Sequence, residues 1–124
     1  MLVVTRFDVP ENEAETFQAQ AQAALDAFAV RPGHLRGRVG RATDTPTAWV
    51  LATEWESVGA YRRSLSSYDV KVDAAPLLAR GRDEPSAYEV LLSTDGGPAT
   101  SARSGRAADA DVAAVGESSG PPRS

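Results

Sequence analysis

The chain has no cysteine, a single histidine, one methionine and no long apolar run. Without cysteine there are no disulfides, no thiolate metal sites and no cysteine nucleophile. One histidine, His34, among scattered carboxylates offers no metal-ligand spacing. No stretch approaches the ~20 apolar residues that a membrane-spanning helix needs, and the first residues lack a basic region followed by an apolar one. Positive charge is also in short supply. Thirteen Lys and Arg stand against 17 Asp and Glu, for a net charge of −4, which disfavours a general electrostatic grip on nucleic acid. The expectation is a cytoplasmic protein that binds neither nucleic acid nor a membrane.

What is present is unevenly spread. All eight aromatics (Phe7, Phe17, Phe28, Trp49, Trp55, Tyr61, Tyr68 and Tyr88) precede residue 90. From Thr94 to Ser124 the only branched aliphatics are Val112 and Val115, among many Ala, Gly, Ser and Pro. Such a segment cannot bury enough apolar surface to offset roughly 1–2 kcal/mol per residue of backbone ordering. Two parts are therefore expected: a folded domain over residues 1–93 and a disordered tail over 94–124.

Leu2 to Val9 is dense in β-formers, and both alternating sets, Leu2/Val4 and Val3/Phe7/Val9, are apolar. That pattern suits a strand covered on both faces. A helix follows, with Pro10 at its start and Glu11, Glu13 and Glu15 at the positive end of its dipole. Phe17, Ala21, Ala24, Leu25 and Phe28 recur at helical spacing, and Arg31-Pro32-Gly33 ends the helix.

His34 to Thr43 and Thr47 to Glu56 read as two strands joined by a turn at Asp44-Thr45-Pro46. In the second of these, Trp49, Leu51, Thr53 and Trp55 share one face, and Ala48, Val50, Ala52 and Glu54 the other. Gly37 and Gly40 suggest a bulge or the close approach of another backbone in the first. Ser57 caps a short helix with Val58, Tyr61 and Leu65 on one side. Tyr68 to Ala75 fits either a helix, with Tyr68 and Val72 one turn apart, or an extended segment, with Val70 and Val72 at period two; the helix is the preferred reading, and Pro76 breaks the segment. Ser86 to Leu92 closes the domain as a strand with Tyr88, Val90 and Leu92 on one face.

The order β-α-β-β-α-β predicts an α+β domain of ferredoxin-like type, with helices on one face of a four-stranded antiparallel sheet. The opposite face then needs a cover that the polar tail cannot supply. A second copy of the same sheet is the economical one, so a homodimer packed sheet to sheet is expected.

Val4-Thr5-Arg6-Phe7 with its acidic helix start, Arg31-Pro32-Gly33, and the block WVLATEWESVGAYRRSL from Trp49 to Leu65 carry a family resemblance. In these residues the chain resembles the antibiotic biosynthesis monooxygenase family of dimeric α/β barrels, over about residues 1–93. Ser66 to Lys71 (SSYDVK) and Glu84 to Leu91 (EPSAYEVL) look like an actinobacterial subgroup. The resemblance implies oxygenation of a small aromatic or polyketide-like substrate by dioxygen, with no metal or flavin cofactor. In that scheme the substrate's own enolate or carbanion reacts with oxygen. Such a site needs a dry pocket, a group to move a proton and donors for an oxyanion.

Trp55 matches the family's tryptophan position, where an indole would wall the pocket and its N–H would donate to a substrate oxygen; the plain alternative is a core aromatic. His34 is the one histidine available as a base near neutral pH, set against a capping or surface role. Tyr61 and Tyr68 lie where the helices overhang the sheet, each offering a hydroxyl to a pocket or merely a packed ring. Arg36 and Arg38 share a face with His34 if their strand is regular, as an anion-binding rim or, more commonly, as cross-strand partners of Glu54 or Glu56. Histidines that haem-degrading relatives carry would fall at Ser64 or Leu65 and at Asp69, where this chain has none, which weakens a haem reading. A non-catalytic dimer that binds a small ligand is the other functional expectation.

Overall fold

The computed structural model describes residues 1–101. Strand β1 (Leu2–Asp8) leads through a single 3-10 turn at Glu11–Glu13 into helix α1 (Ala14–Ala29). Strands β2 (His34–Arg41) and β3 (Ala48–Trp55) form the central hairpin. Three short helices follow, α2 (Val58–Ser64), α3 (Tyr68–Asp73) and α4 (Ala75–Leu78), and then strand β4 (Ala87–Tyr88). The four strands form one antiparallel sheet in the order β2-β3-β1-β4. That is the ferredoxin-like α+β arrangement expected from the order of elements. Among the described residues no helix is long and apolar enough to cross a membrane.

The alternation read along the strands sets the faces. Val3, Thr5 and Phe7 of β1 stand opposite Thr53, Leu51 and Trp49 of β3, and all six are buried. On the other face Leu2, Val4, Arg6 and Asp8 stand opposite Glu54, Ala52, Val50 and Ala48. α1 lies across the first face with Phe17, Ala21, Ala24, Ala27 and Phe28 buried. Phe17 meets Phe7 and Trp49 edge-on at 5.0 and 5.2 Å between ring centroids, and Phe28 meets Trp55 at 5.5 Å. Each such fully buried side chain contributes on the order of 1.5–3 kcal/mol of transfer free energy.

The second face is framed by charge. Arg36 pairs with Glu54 across β2 and β3, so the cross-strand role is the one that forms. Arg6 makes a bidentate pair with Glu84, and Arg82 one with Asp8. Their hydrogen bonds hold the Glu84 and Asp8 carboxyls below the usual carboxylate range. With Arg82 N–H to Arg6 O at 2.8 Å and Val4 N–H to Ser86 O at 2.7 Å, these pairs lay residues 82–86 along the outer edge of β1. Exposed pairs stabilise little individually; what they do is fix that alignment.

Several expectations change on contact with the structure. The last strand is two residues long, not seven, and Tyr88 and Leu92 are exposed. Leu92–Ser93 instead forms strand β5, paired with strand β6 (Thr100–Ser101), so the domain end read at residue 93 falls inside a small hairpin. The rest of the expected tail, 102–124, lies outside the described residues. Tyr68 to Ala75 is helical, but its inner face is Val70 and Ala74, while Tyr68 and Val72 face solvent. Burial follows the reach of α1, and a two-residue i, i+4 match cannot tell which side that is. Pro76 lies in the first turn of α4 instead of ending a helix, where its missing N–H costs nothing.

The turn between α1 and β2 is held by a backbone hydrogen bond and a glycine. His34 N–H bonds Arg31 O at 3.2 Å around Pro32 and Gly33, and Gly33 has φ +88°. A Cβ there would collide with the Ala60 Cβ. Gly33→Ala is therefore expected to destabilise the protein by about 1–3 kcal/mol for the backbone conformation, and more for the collision, read as a lowered midpoint in urea unfolding. An unchanged midpoint would mean that the turn is not held as described.

Candidate functional site

The position of His34 depends on an irregularity in β2. His34 stands opposite Trp55 and Arg36 opposite Glu54, so Leu35 is an extra residue in the ladder. This bulge turns His34 onto the helix-covered face while Arg36 and Arg38 remain on the other. The regular-strand expectation that placed His34 with those arginines is thus corrected. The bulge sits at Leu35 and not at Gly37 or Gly40. What Gly37 accommodates is a side chain, since a Cβ there would lie 2.7 Å from Leu25 Cδ2.

Three of the four candidate residues come together. His34 meets the Trp55 ring edge-on at 5.0 Å between centroids, and Tyr61 lies tilted against it at 5.6 Å. Phe28 closes the cluster, 5.5 Å from Trp55 and 6.4 Å from Tyr61. Trp55 is 1% exposed. Tyr61 arrives from α2, whose start is fixed by Ser57, its hydroxyl oxygen accepting from Ala60 N–H at 3.0 Å. Ser64 is buried and donates its hydroxyl to Tyr61 O at 2.6 Å. Tyr68 is elsewhere. At 78% exposure, on the outer side of α3, it is not brought to the cluster.

Hydrogen bonding assigns different capacities to these groups. The Trp55 indole N–H donates to Thr53 Oγ1 at 2.9 Å, so it is already used within the protein. The expectation that this N–H serves a substrate oxygen does not match the geometry. Residues two apart on a strand share a face, so the Thr53–Trp55 pair is legible in the sequence, but grouping Thr53 by face alone overlooks it. By contrast, His34 Nε2 and Arg31 Nε are buried with no hydrogen-bond partner among the described residues. They belong to the first and last residues of one turn, whose Cα atoms lie within about 7 Å by the definition of such turns. Buried polar atoms without partners are costly, by about 1–3 kcal/mol each.

Burial pushes the His34 imidazolium down from the ordinary histidine value and the Tyr61 hydroxyl up, because both charged forms lose solvation. Near pH 7 the imidazole is therefore neutral and can accept a proton, while the phenol stays protonated and can donate. Among the described residues no group of three or more His, Cys, Asp or Glu is placed to hold a metal ion. A separate depression of about 230 Å³ lies between α1, α3 and α4, beside Gln20, Asp73 and Arg80, and includes none of the four candidates.

The His34 shift has a sign that can be tested. A depressed folded pKa means that the unfolded chain binds the proton first as pH falls. The stability tied to the neutral imidazole is complete above pH 6.5, the ordinary value, and is lost as pH drops through the folded pKa. The imidazole carbon proton in NMR should accordingly titrate below that ordinary value. A midpoint at or above it would contradict the burial described.

Known proteins share both the sequence pattern and the fold. The family model described as antibiotic biosynthesis monooxygenase matches residues 1–72. The "42.8 kDa protein in whiE locus" of Streptomyces coelicolor is 32% identical over 96 residues, which cover 77% of this chain and 24% of that protein. This chain thus spans about a quarter of the length of that relative. Among solved structures, a mutant form of SnoaB from Streptomyces nogalater, a cofactor-independent oxygenase, is 28% identical. The match has a TM-score of 0.57 and covers 65% of this chain and 82% of that one. A conserved protein from Methanosarcina mazei Go1 gives the same TM-score at 19% identity, over 69% of this chain and 84% of that one, and speaks to the fold alone.

Proposed function

Since this chain belongs to the antibiotic biosynthesis monooxygenase family, we propose that it is a monooxygenase that inserts oxygen from dioxygen into a small aromatic or polyketide-like substrate without metal or flavin. The observation that carries this reading is the convergence of His34, Trp55 and Tyr61 on the helix-covered face of the sheet. The likeness to SnoaB, a cofactor-independent oxygenase, supports the same class of chemistry.

In this scheme Trp55 and Phe28 form an apolar wall for a planar ring. His34, neutral at pH 7, takes a proton from an enolisable carbon of the substrate. The carbanion passes electrons to dioxygen, a carbon–oxygen bond forms, and the oxygen–oxygen bond breaks with release of water. For a ring methylene the sum is CH2 plus O2 giving C=O plus H2O, the substrate itself supplying the electrons. Tyr61, held protonated, donates to the substrate oxygen as negative charge builds there, and Arg31 adds a fixed positive charge at the same turn as His34.

The reading includes a homodimer. The apolar strip Leu2, Val4, Val50 and Ala52 on the uncovered face, rimmed by the Arg36–Glu54, Arg6–Glu84 and Asp8–Arg82 pairs, has the apolar centre and polar rim of an interface. Light scattering at micromolar concentration should report twice the 13.0 kDa chain mass; a single-chain particle would rule the dimer out.

Oxygen uptake with an anthrone-like substrate and no added cofactor tests the chemistry. Uptake above the buffer rate is expected, lost in Trp55→Phe and reduced about a hundredfold or more in His34→Ala. Tyr68→Phe, a change on the solvent side, should alter the rate by less than about twofold.

The close packing of Trp55 favours a second reading, a non-catalytic dimer that binds a small ligand. An indole that is 1% exposed with its N–H satisfied internally is also what a core aromatic looks like. Uptake that stays at the buffer rate across a panel of enolisable phenols would decide for this second reading.

A further inference from the structure

We infer that Thr53 is a positioning residue for the site, acting through Trp55. Its Oγ1 accepts the Trp55 indole N–H at 2.9 Å, and both side chains are buried, at 3% and 1% exposure. An indole in an apolar pocket has a broad choice of rotation about its ring bond. The hydrogen bond removes that choice, because turning the ring would leave a buried donor unpaired. The orientation that results presents the ring to the His34 edge on one side and to Tyr61 on the other. Thr53 is itself fixed from both flanks, opposite Val3 of β1 and Gly37 of β2, with its methyl 3.5 Å from where a Gly37 Cβ would lie.

The two tryptophans of this chain are not equivalent in this respect. Trp49 also lies buried on the same face, yet its indole N–H has no partner among the described residues; its ring is held by Phe17 at 5.2 Å and by Arg41 stacked at 5.3 Å. Shape and cation–π contact are thus enough to seat a tryptophan on this sheet. The hydrogen bond at Trp55 is an additional restraint, applied to the one that meets His34 and Tyr61. It also has a consequence for recognition. With its N–H consumed internally, Trp55 selects a ligand by ring contact and shape alone, and donors for a substrate oxygen must come from other residues, Tyr61 and Arg31 among them.

For turnover this inference rests on the oxygenase reading; for geometry it does not, and the test separates the two. In the 15N-labelled full chain, the Trp55 indole N–H is expected downfield of the Trp49 one, because only the former is hydrogen-bonded. Thr53→Val should shift the Trp55 resonance alone and speed its exchange with solvent, and Thr53→Ser should restore both. With an anthrone-like substrate, Thr53→Val should lower kcat by roughly ten- to a hundredfold and change KM less, with Thr53→Ser near the parent value. An unmoved Trp55 resonance in Thr53→Val, or equal losses of kcat in the valine and serine variants, overturns the inference. The wild-type spectrum alone tests it if Thr53→Val does not fold, since coincident indole resonances overturn it as well. A parent protein that consumes no oxygen while the Trp55 resonance still moves sinks the oxygenase reading and upholds the Thr53 restraint.

Discussion

The structure depends on how one helix is seated across one hairpin and its neighbouring strand. α1 touches the sheet through aromatic contacts at two ends, Phe17 against Phe7 and Trp49, and Phe28 against Trp55. The step from Phe17 to Phe28 spans roughly 16 Å of helix, and that from Trp49 to Trp55 spans roughly 20 Å of strand. The two lengths are close enough for both ends to engage at once. Between them Ala21 and Ala24 are fully buried, small enough to let the helix come down onto the strands. Larger residues there would lift it and part both aromatic contacts. The same contact closes over Trp55, so packing and site are made by one set of residues.

Around that seat the chain uses two kinds of restraint with different roles. Side-chain hydrogen bonds set orientations: Ser57 starts α2, Ser64 ties its hydroxyl to Tyr61 O, and Thr53 holds the Trp55 indole. The last of these is fully buried, where an unmade bond is expensive. The Arg6–Glu84, Arg36–Glu54 and Arg82–Asp8 pairs lie on the opposite face and its edges, solvated and individually weak. They align residues 82–86 with β1 and frame the apolar strip of Leu2, Val4, Val50 and Ala52. Orientation of the site is therefore separate from the charge pattern of the uncovered face.

The paired expectations about His34 show how a local detail changes a functional reading. Read as a regular strand, β2 puts His34 among Arg36 and Arg38, on a basic outer face. One extra residue at Leu35 reverses it and places the imidazole against Trp55. A strand has a side-chain period of two, so a single inserted residue is sufficient. Tyr68 illustrates the opposite case. Its spacing to Val72 is helical, and the helix is there, but the side facing the core belongs to Val70 and Ala74.

The order of elements from β1 to β4, the faces of β1 and β3, the C-terminal end of α1, the turn at Gly33 and the cap at Ser57 were all determined by the sequence alone. Each rests on periodicity or on a residue with one permitted backbone use, and both are properties of short stretches of chain. The bulge at Leu35, the inner face of α3, the two-residue length of β4 and the internal use of the Trp55 N–H were decided only in three dimensions. Each depends on which distant surface a stretch meets: β3 for His34, α1 for α3, β1 for β4. A linear pattern lists the faces a segment can present, and only packing against a partner selects among them.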